Sequence, residues 1–264
     1  MRLRILGSGA SSGTPAIDWG WGRCDPHNPK NRRTRPAILV EHEGTRLLVD
    51  TPPELREQLI AADVSIVDAV LYTHSHADHL HGIDDLRAIN RARSAPLDAY
   101  ADTRTLDVIR ARFPYVLEPL IKGASFYYKP TLVPHVVADG DSFMIGSIPV
   151  VAFEQSHGFS MTLGFRFGAA AYTTDVVELP QQAFELLRGI QTWIIGTLVD
   201  KPHKTHCDVA QALEWIRRIG PSRAILTHLG CDLDYEALLE CLPEGVEPAF
   251  DGMVIDVNDP PGGI

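Results

Sequence analysis

The chain has 264 residues, 45% of them hydrophobic and 22% charged, which fits one large α/β domain or two small ones and excludes bulk disorder. No run approaches the roughly 18 apolar residues of a spanning helix, and the apolar stretch opening the chain is too short for a secretory leader, so neither a membrane span nor export is expected. The balance of 24 basic against 34 acidic residues, net −10, disfavours binding to long nucleic acid.

The predicted elements begin with a strand over 2–6, alternating in apolar residues, which runs into the flexible turn Gly7-Ser8-Gly9-Ala10-Ser11-Ser12-Gly13-Thr14-Pro15. Residues 18–35, rich in Gly, Pro, Asn and Arg, form a long ordered loop, a class that is usually functional or disordered. Strands over 37–41 and 45–49 pair across Glu43-Gly44, and a helix over 53–61 starts on a proline. A buried strand over 66–72, a helix over 83–92, a strand over 97–99 and a helix over 104–113 follow. The stretch 125–167 is β-rich, with turns at Gly140 and Gly146, and 169–174 is one more strand. Helices over 179–187, 209–219 and 235–241 alternate with strands over 192–195 and 223–227, and 254–256 is a last strand. Strand-rich segments followed by β–α alternation predict two mixed sheets covered by helices. No repeat or low-complexity linker divides the chain, so a single domain over 1–264 is expected.

Eleven histidines are the compositional outlier. The segment Thr73-His74-Ser75-His76-Ala77-Asp78-His79 follows a buried strand and precedes a helix. In extended chain, residues two apart point the same way, so His74 and His76 converge on one ion. The turn into helix lets Asp78 and His79 face an adjacent position. Four such side chains are costly to bury unless a cation compensates them. Three later strands repeat one arrangement, an apolar run delivering His157, Asp175 or His228 at its end. The set has the number and type of donors for a binuclear site.

His74-x-His76-x-Asp78-His79, then His157, Asp175 and His228 in order, resembles the metallo-β-lactamase superfamily of metal hydrolases. The resemblance implies an α/β fold, an αββα sandwich of two mixed sheets, with metals at their common edge. By it, His74, His76 and His157 hold one metal, Asp78, His79 and His228 hold the other, and Asp175 bridges both. Leu6-Gly7-Ser8-Gly9, Asn31-Arg32-Arg33-Thr34-Arg35, Thr205-His206-Cys207-Asp208 and Phe250-Asp251-Gly252-Met253 look like the PhnP-type branch, which contains a phosphoribosyl cyclic phosphate phosphodiesterase and is similar in its core to tRNase Z. An Asp at the bridging position favours phosphodiester cleavage over β-lactam opening.

The expectation is therefore a phosphodiesterase using two divalent ions, Zn or Mn, on a small cyclic phosphate or nucleotide-like diester. Two ions about 3.5–4 Å apart hold a bridging hydroxide and clamp the phosphate oxygens. The catalytic residues are expected to be Asp78 and His206. The latter precedes the 209–219 helix and, by the resemblance, serves the leaving oxygen or the phosphoryl charge. His203 is the decoy beside it, and capping of the helix is the bland role for His206. A lactone or thioester hydrolase of the same fold is the alternative. The expected partner is a small phosphorylated substrate, with no long nucleic acid and no membrane, and a homodimer is left open.

Relatives of this branch carry a structural zinc in a Cys-rich loop. Here Cys24, His27 and Cys231 offer only three donors, short of the four a closed site wants, so no such site is expected. The cysteines Cys24, Cys207, Cys231 and Cys241 include no CxxC pair and are read as reduced thiols of a cytoplasmic protein. Arg32, Arg33 and Arg35 suit either phosphate or acidic neighbours. Asp50 is placed to orient a metal-bound His. Trp19 and Trp21 form a substrate wall or pack the loop, and His81 and His135 are read as structural.

Overall fold

Alternation of buried side chains builds two seven-stranded sheets. In the computed structural model, which describes residues 1–258, the first sheet takes β1 (Arg2–Gly7), β2 (Ala37–His42), β3 (Thr45–Val49), β4 (Ala69–Leu71), β5 (Leu97–Ala101) and β6 (Leu132–Val136) in chain order. The second takes β7 (Ser142–Ile145), β8 (Ile148–Ser156), β9 (Met161–Phe167), β10 (Ala170–Thr173), β11 (Thr192–Gly196), β12 (Arg223–Thr227) and β13 (Val246–Pro248). The last strand, β14 (Val254–Asp256), returns to pair antiparallel with β1 and closes the first sheet's edge.

Successive side chains of a strand point to opposite faces, and each sheet uses both. Ile38, Val40, Leu47 and Val49 share one core with Phe165, Phe167, Tyr172 and Ile194 of the other sheet. Their neighbours Leu39, Leu48 and Val70 face outward, into a cluster with Leu55 and Leu59 of α1 (Leu55–Ala61). Beyond α2 (Ala77–Leu80), that cluster takes in residues of α3 (Leu86–Arg93), α4 (Thr103–Arg112) and α5 (Pro114–Leu117). Across the molecule, Trp193, Ile195 and Leu226 pack with α6 (Gln181–Leu186), α7 (Val209–Ile219) and α8 (Tyr235–Cys241). The layers are helix, sheet, sheet, helix, the αββα sandwich.

Each sheet has a parallel half, β3–β4–β5–β6 in one and β10–β11–β12–β13 in the other. Crevices outside the carboxyl ends of parallel strands are where open α/β sheets bind ligands. Asp50 follows β3, His74 follows β4, Asp175 follows β10 and His228 follows β12.

Several boundaries differ from the sequence expectation for physical reasons. The strand expected over 66–72 shrinks to Ala69–Leu71, since the Val67 carbonyl accepts from the Arg93 guanidinium instead of a ladder partner. The helix expected over 83–92 is split into a 3₁₀ turn, Ile83–Asp85, and α3. The helix expected over 53–61 starts at Leu55, where Leu55 N–H donates to Pro52 O. The short α5 and β13 were not anticipated. Residues 259–264 of the single domain expected over 1–264 lie outside the described residues. No helix among the described residues is long and apolar enough to cross a membrane.

Candidate metal centre

The strand ends and the start of α2 place seven potential donors in two adjoining groups. His74, His76, His157 and Asp175 form one, and Asp78, His79, Asp175 and His228 the other, with the ligand atoms of each group within 4.8 Å of one another. These are the seven side chains nominated from the sequence. Asp175 belongs to both groups and divides its oxygens between them. Its Oδ1 lies 3.7 Å from His157 Nε2 and 4.0 Å from His74 Nε2. Its Oδ2 lies 3.0 Å from His79 Nε2 and 3.3 Å from His228 Nε2. Asp78 Oδ2 faces the same pair, 3.4 Å from His79 Nε2 and 3.6 Å from His228 Nε2.

Backbone shape reinforces this convergence. Asp50, Asp175 and His228 have φ of 66°, 51° and 57°. Left-handed backbone at a non-glycine residue costs of order 1–3 kcal/mol and persists where the surroundings over-determine it. Here it turns three side chains at strand ends toward one place. Gly196 closes β11 against this corner: a Cβ there would stand 3.0 Å from Thr174 Cα and 3.1 Å from Asp175 N.

Outer contacts aim the rings. His79 Nδ1 lies 2.7 Å from Asp50 Oδ2, and Asp50 also accepts from Thr73 N–H and Oγ1, both at 2.8 Å. His157 Nδ1 donates to Thr205 O at 2.7 Å. Anchoring one ring nitrogen this way leaves the other to the ion. The Nε2 atoms of His74, His79 and His228 are buried and have no hydrogen-bond partner, a costly state that a cation would relieve.

The titration directions follow from the crowding. Burial pushes the Asp175 carboxyl up, yet His228, His79 and His74 together hold it well below the usual carboxylate range. Burial likewise pushes the Asp78 carboxyl up, and His79 and His228 overcome that push and keep it ionised. Burial lowers His79, but Asp175, Asp78 and Asp50 raise it well above the ordinary imidazole. His74 goes the other way, lowered by burial and by His79. The two ionised carboxylates and the neutral His74 and His157 are the donor forms a divalent ion takes, and the proton that His79 holds against three carboxylates is the one an ion would displace.

His206 stands outside both groups but against them. Its Nδ1 is 3.7 Å from Asp175 Oδ1, and its ring stacks on His228 at 5.1 Å. Burial and the His228 charge pull it down to about 3. It does not cap α7: the cap is Asp208, whose carboxylate accepts from Gln211 N–H. His203 lies further out, with its ring 5.4 Å from that of His206. A cavity of about 530 Å³ opens over the cluster, lined by His76, Asp78, His157, Asp175 and His206 together with Ser11, Phe159, Ser160 and Thr205.

The remaining candidates go elsewhere. Cys24, His27 and Cys231 do not gather into a donor group among the described residues. Arg33 is buried, with its Nη2 donating to Leu233 O at 2.8 Å and Asn31 Oδ1 at 3.2 Å and its Nη1 to Gly230 O at 3.4 Å and Cys24 Sγ at 3.9 Å. Arg35 pairs with Glu54, and Arg32 is exposed. Trp19 is exposed, and neither it nor Trp21 lines the cavity over the cluster. His81 packs edge-on against Phe113, and His135 pairs with Asp98. Phe159 was not singled out from the sequence, since one aromatic residue in a Gly-Phe-Ser turn carries no periodic signal.

The model of the beta-lactamase superfamily domain matches residues 45–229, which hold all seven donors. The chain belongs to the metallo-β-lactamase superfamily. Its PhnP-like character rests on a solved structure described as a new diphosphatase from the PhnP family. The two are 31% identical, with a TM-score of 0.88 and coverage of 97% of this chain and 98% of that one. Zn²⁺-bound PqqB from Methylobacterium extorquens shares the fold, at 19% identity and a TM-score of 0.77 over 97% of this chain and all of the other. An octanoyltransferase of Porphyromonas gingivalis is 32% identical over 98% of this chain and 52% of its own length. A ribonuclease Z of Bradyrhizobium sp. is 28% identical over 54% of this chain and 47% of its own length. The chain thus spans about half the length of the curated relatives it matches.

Proposed function

We propose that the protein is a metal-dependent phosphodiesterase acting on a small cyclic phosphate or nucleotide-like diester in the cytoplasm. The observation that carries this reading is Asp175, one carboxylate facing two donor sets with one oxygen each. Two divalent ions, Zn or Mn, would be held there, by His74, His76, His157 and Asp175 and by Asp78, His79, Asp175 and His228. When bound, such ions supply Lewis acidity and an activated water. The named diphosphatase and ribonuclease Z relatives both act on phosphate esters or anhydrides, which favours the same class here.

The chain's own residues do the rest. Asp50 and Thr205 fix the tautomers of His79 and His157. Asp78 and Asp175 stay ionised and keep the centre rigid. His206, neutral near pH 7, offers an N–H to the phosphoryl or departing oxygen where negative charge develops. Its depressed pKa favours that hydrogen-bonding role over outright proton donation. The chain's net charge of −10 favours a small substrate over a polynucleotide.

A lactone or thioester substrate is the second reading, and the octanoyltransferase relative is what favours it. The test is a panel assayed after loading with Mn²⁺ or Zn²⁺: bis(p-nitrophenyl) phosphate, a 2′,3′-cyclic nucleotide, p-nitrophenyl octanoate and a β-lactam. Phosphodiester turnover with negligible lactam opening is expected. Acyl-ester turnover without phosphodiester turnover would reverse the order of the two readings.

A further inference from the structure

The cavity over the donor set is not the only space at this edge. A second cavity of about 380 Å³ adjoins it, lined by Ser75, Asp102, Arg104, Thr105 and Met161. The two share His76, Phe159 and Ser160. Phe159 therefore stands where one space passes into the other, and it is 90% exposed. A phenyl ring left in water forgoes the burial that stabilises most aromatic side chains.

The backbone fixes the turn that carries this ring. His157 N–H donates to Ser160 O at 2.8 Å, and Phe159 N–H to His157 O at 3.0 Å. Gly158 is left-handed at φ 76°, and a Cβ there would meet Lys204 O at 2.7 Å and Thr205 Cγ2 at 3.0 Å. The turn is thus fixed directly to the donor His157 and against the segment carrying His206.

The second cavity's charge decides what it suits. Arg104 is already paired with Asp102 and with Glu154, so no cation remains for a second phosphate, which would meet the Asp102 carboxylate. Beyond the donors His74 and His76 on its cluster side, what remains is hydroxyls from Ser75, Thr105 and Ser160, the Met161 thioether and the Phe159 ring. Those suit a neutral, flat ring with hydrogen-bonding edges.

We infer that Phe159 is a specificity-determining platform, stacking a nucleobase-like ring carried by the substrate and directing it into the Arg104-side cavity. The inference rests on the phosphodiesterase reading for the position of the phosphate. Stacking of a base on an aromatic side chain changes affinity by about tenfold or more.

The experiment is calorimetric binding of adenosine 5′-monophosphate and ribose 5-phosphate to the Mn²⁺-loaded protein. The wild type should hold the nucleotide about tenfold tighter than the sugar phosphate. Phe159→Ala should bring the nucleotide down to the sugar-phosphate level without changing the latter, and Phe159→Trp should restore the difference. Equal binding of both ligands by the wild type, or undiminished nucleotide binding by Phe159→Ala, would overturn the platform. Hydrolysis of methyl p-nitrophenyl phosphate by the wild type reports separately on the chemistry. If it is absent while the affinities behave as expected, the phosphodiesterase reading fails and the platform stands.

Discussion

Two polar interiors sit on either side of the segment that links β12 to α8, and they solve the same problem differently. In the His/Asp cluster, four buried imidazole nitrogens, His74 Nε2, His79 Nε2 and both of His228, make no hydrogen bond and two carboxylates are ionised, so the site wants positive charge from outside. In the N-terminal loop the positive charge is built in. The Arg33 guanidinium is enclosed by carbonyls of Gly230 and Leu233, by Asn31 and by Cys24, and burial pulls it below its ordinary value. Asn31 then passes the connection on, donating to Asp25 O and Asp234 Oδ2 and accepting from Tyr235 N–H. The loop is therefore expected to keep its shape in the absence of any metal, whereas the cluster depends on one. The comparison separates residues that hold the architecture from residues proposed to hold an ion.

The largest effect on catalysis that sharpens this contrast is at His206. It contacts the cluster without completing either donor group, so His206→Ala should lower kcat and kcat/KM together by about 10²–10³-fold with the metal content unchanged. Loss of metal from this variant would make His206 a ligand. The pH profile adds the sign. A ring whose pKa is held near 3 is already neutral throughout the neutral range, so His206 should contribute no inflection between about pH 5 and 8. An inflection present in the wild type and absent from His206→Ala would assign it proton transfer instead.

Next is Arg33→Met, which removes the built-in cation and strands two carbonyls and an amide oxygen. Urea unfolding should show a loss of about 3–5 kcal/mol, of similar size with and without EDTA. A loss seen only in the metal-loaded protein would mean that the loop and the cluster are one unit. The smallest effect is at Asp50. Asp50→Asn keeps the shape but weakens the acceptor that fixes the His79 tautomer, so metal affinity should fall about 10–100-fold, read by competition with a chromophoric chelator. An unchanged affinity would reduce Asp50 to a fold residue.

Much of the cluster was legible because its signal is local. His74, His76, Asp78 and His79 lie within six residues, and His157, Asp175, His228 and Asp50 each end an apolar run; Asp175, His228 and Asp50 do so in the parallel halves of the sheets, and His157 after the antiparallel β8. The sandwich was legible for a related reason: strand alternation and helix periodicity each survive in single segments. The burial of Arg33 was not legible, since its partners Gly230 and Leu233 are about 200 residues away in sequence. Phe159 escaped because an exposed aromatic residue gains meaning only from the two cavities beside it. The early end of β4 and the broken helix at Ile83–Asp85 depend on Arg93 and on packing, and propensity reports neither.

The central claim is that one carboxylate serves two ions. Metal content of exhaustively washed protein, measured by elemental analysis for the wild type and for Asp175→Ala, tests it most directly. The account predicts about two equivalents in the wild type and loss at both positions in the variant, with the far-ultraviolet circular dichroism retained. A wild type that binds one equivalent at most, or an Asp175→Ala protein that keeps both ions, would contradict it.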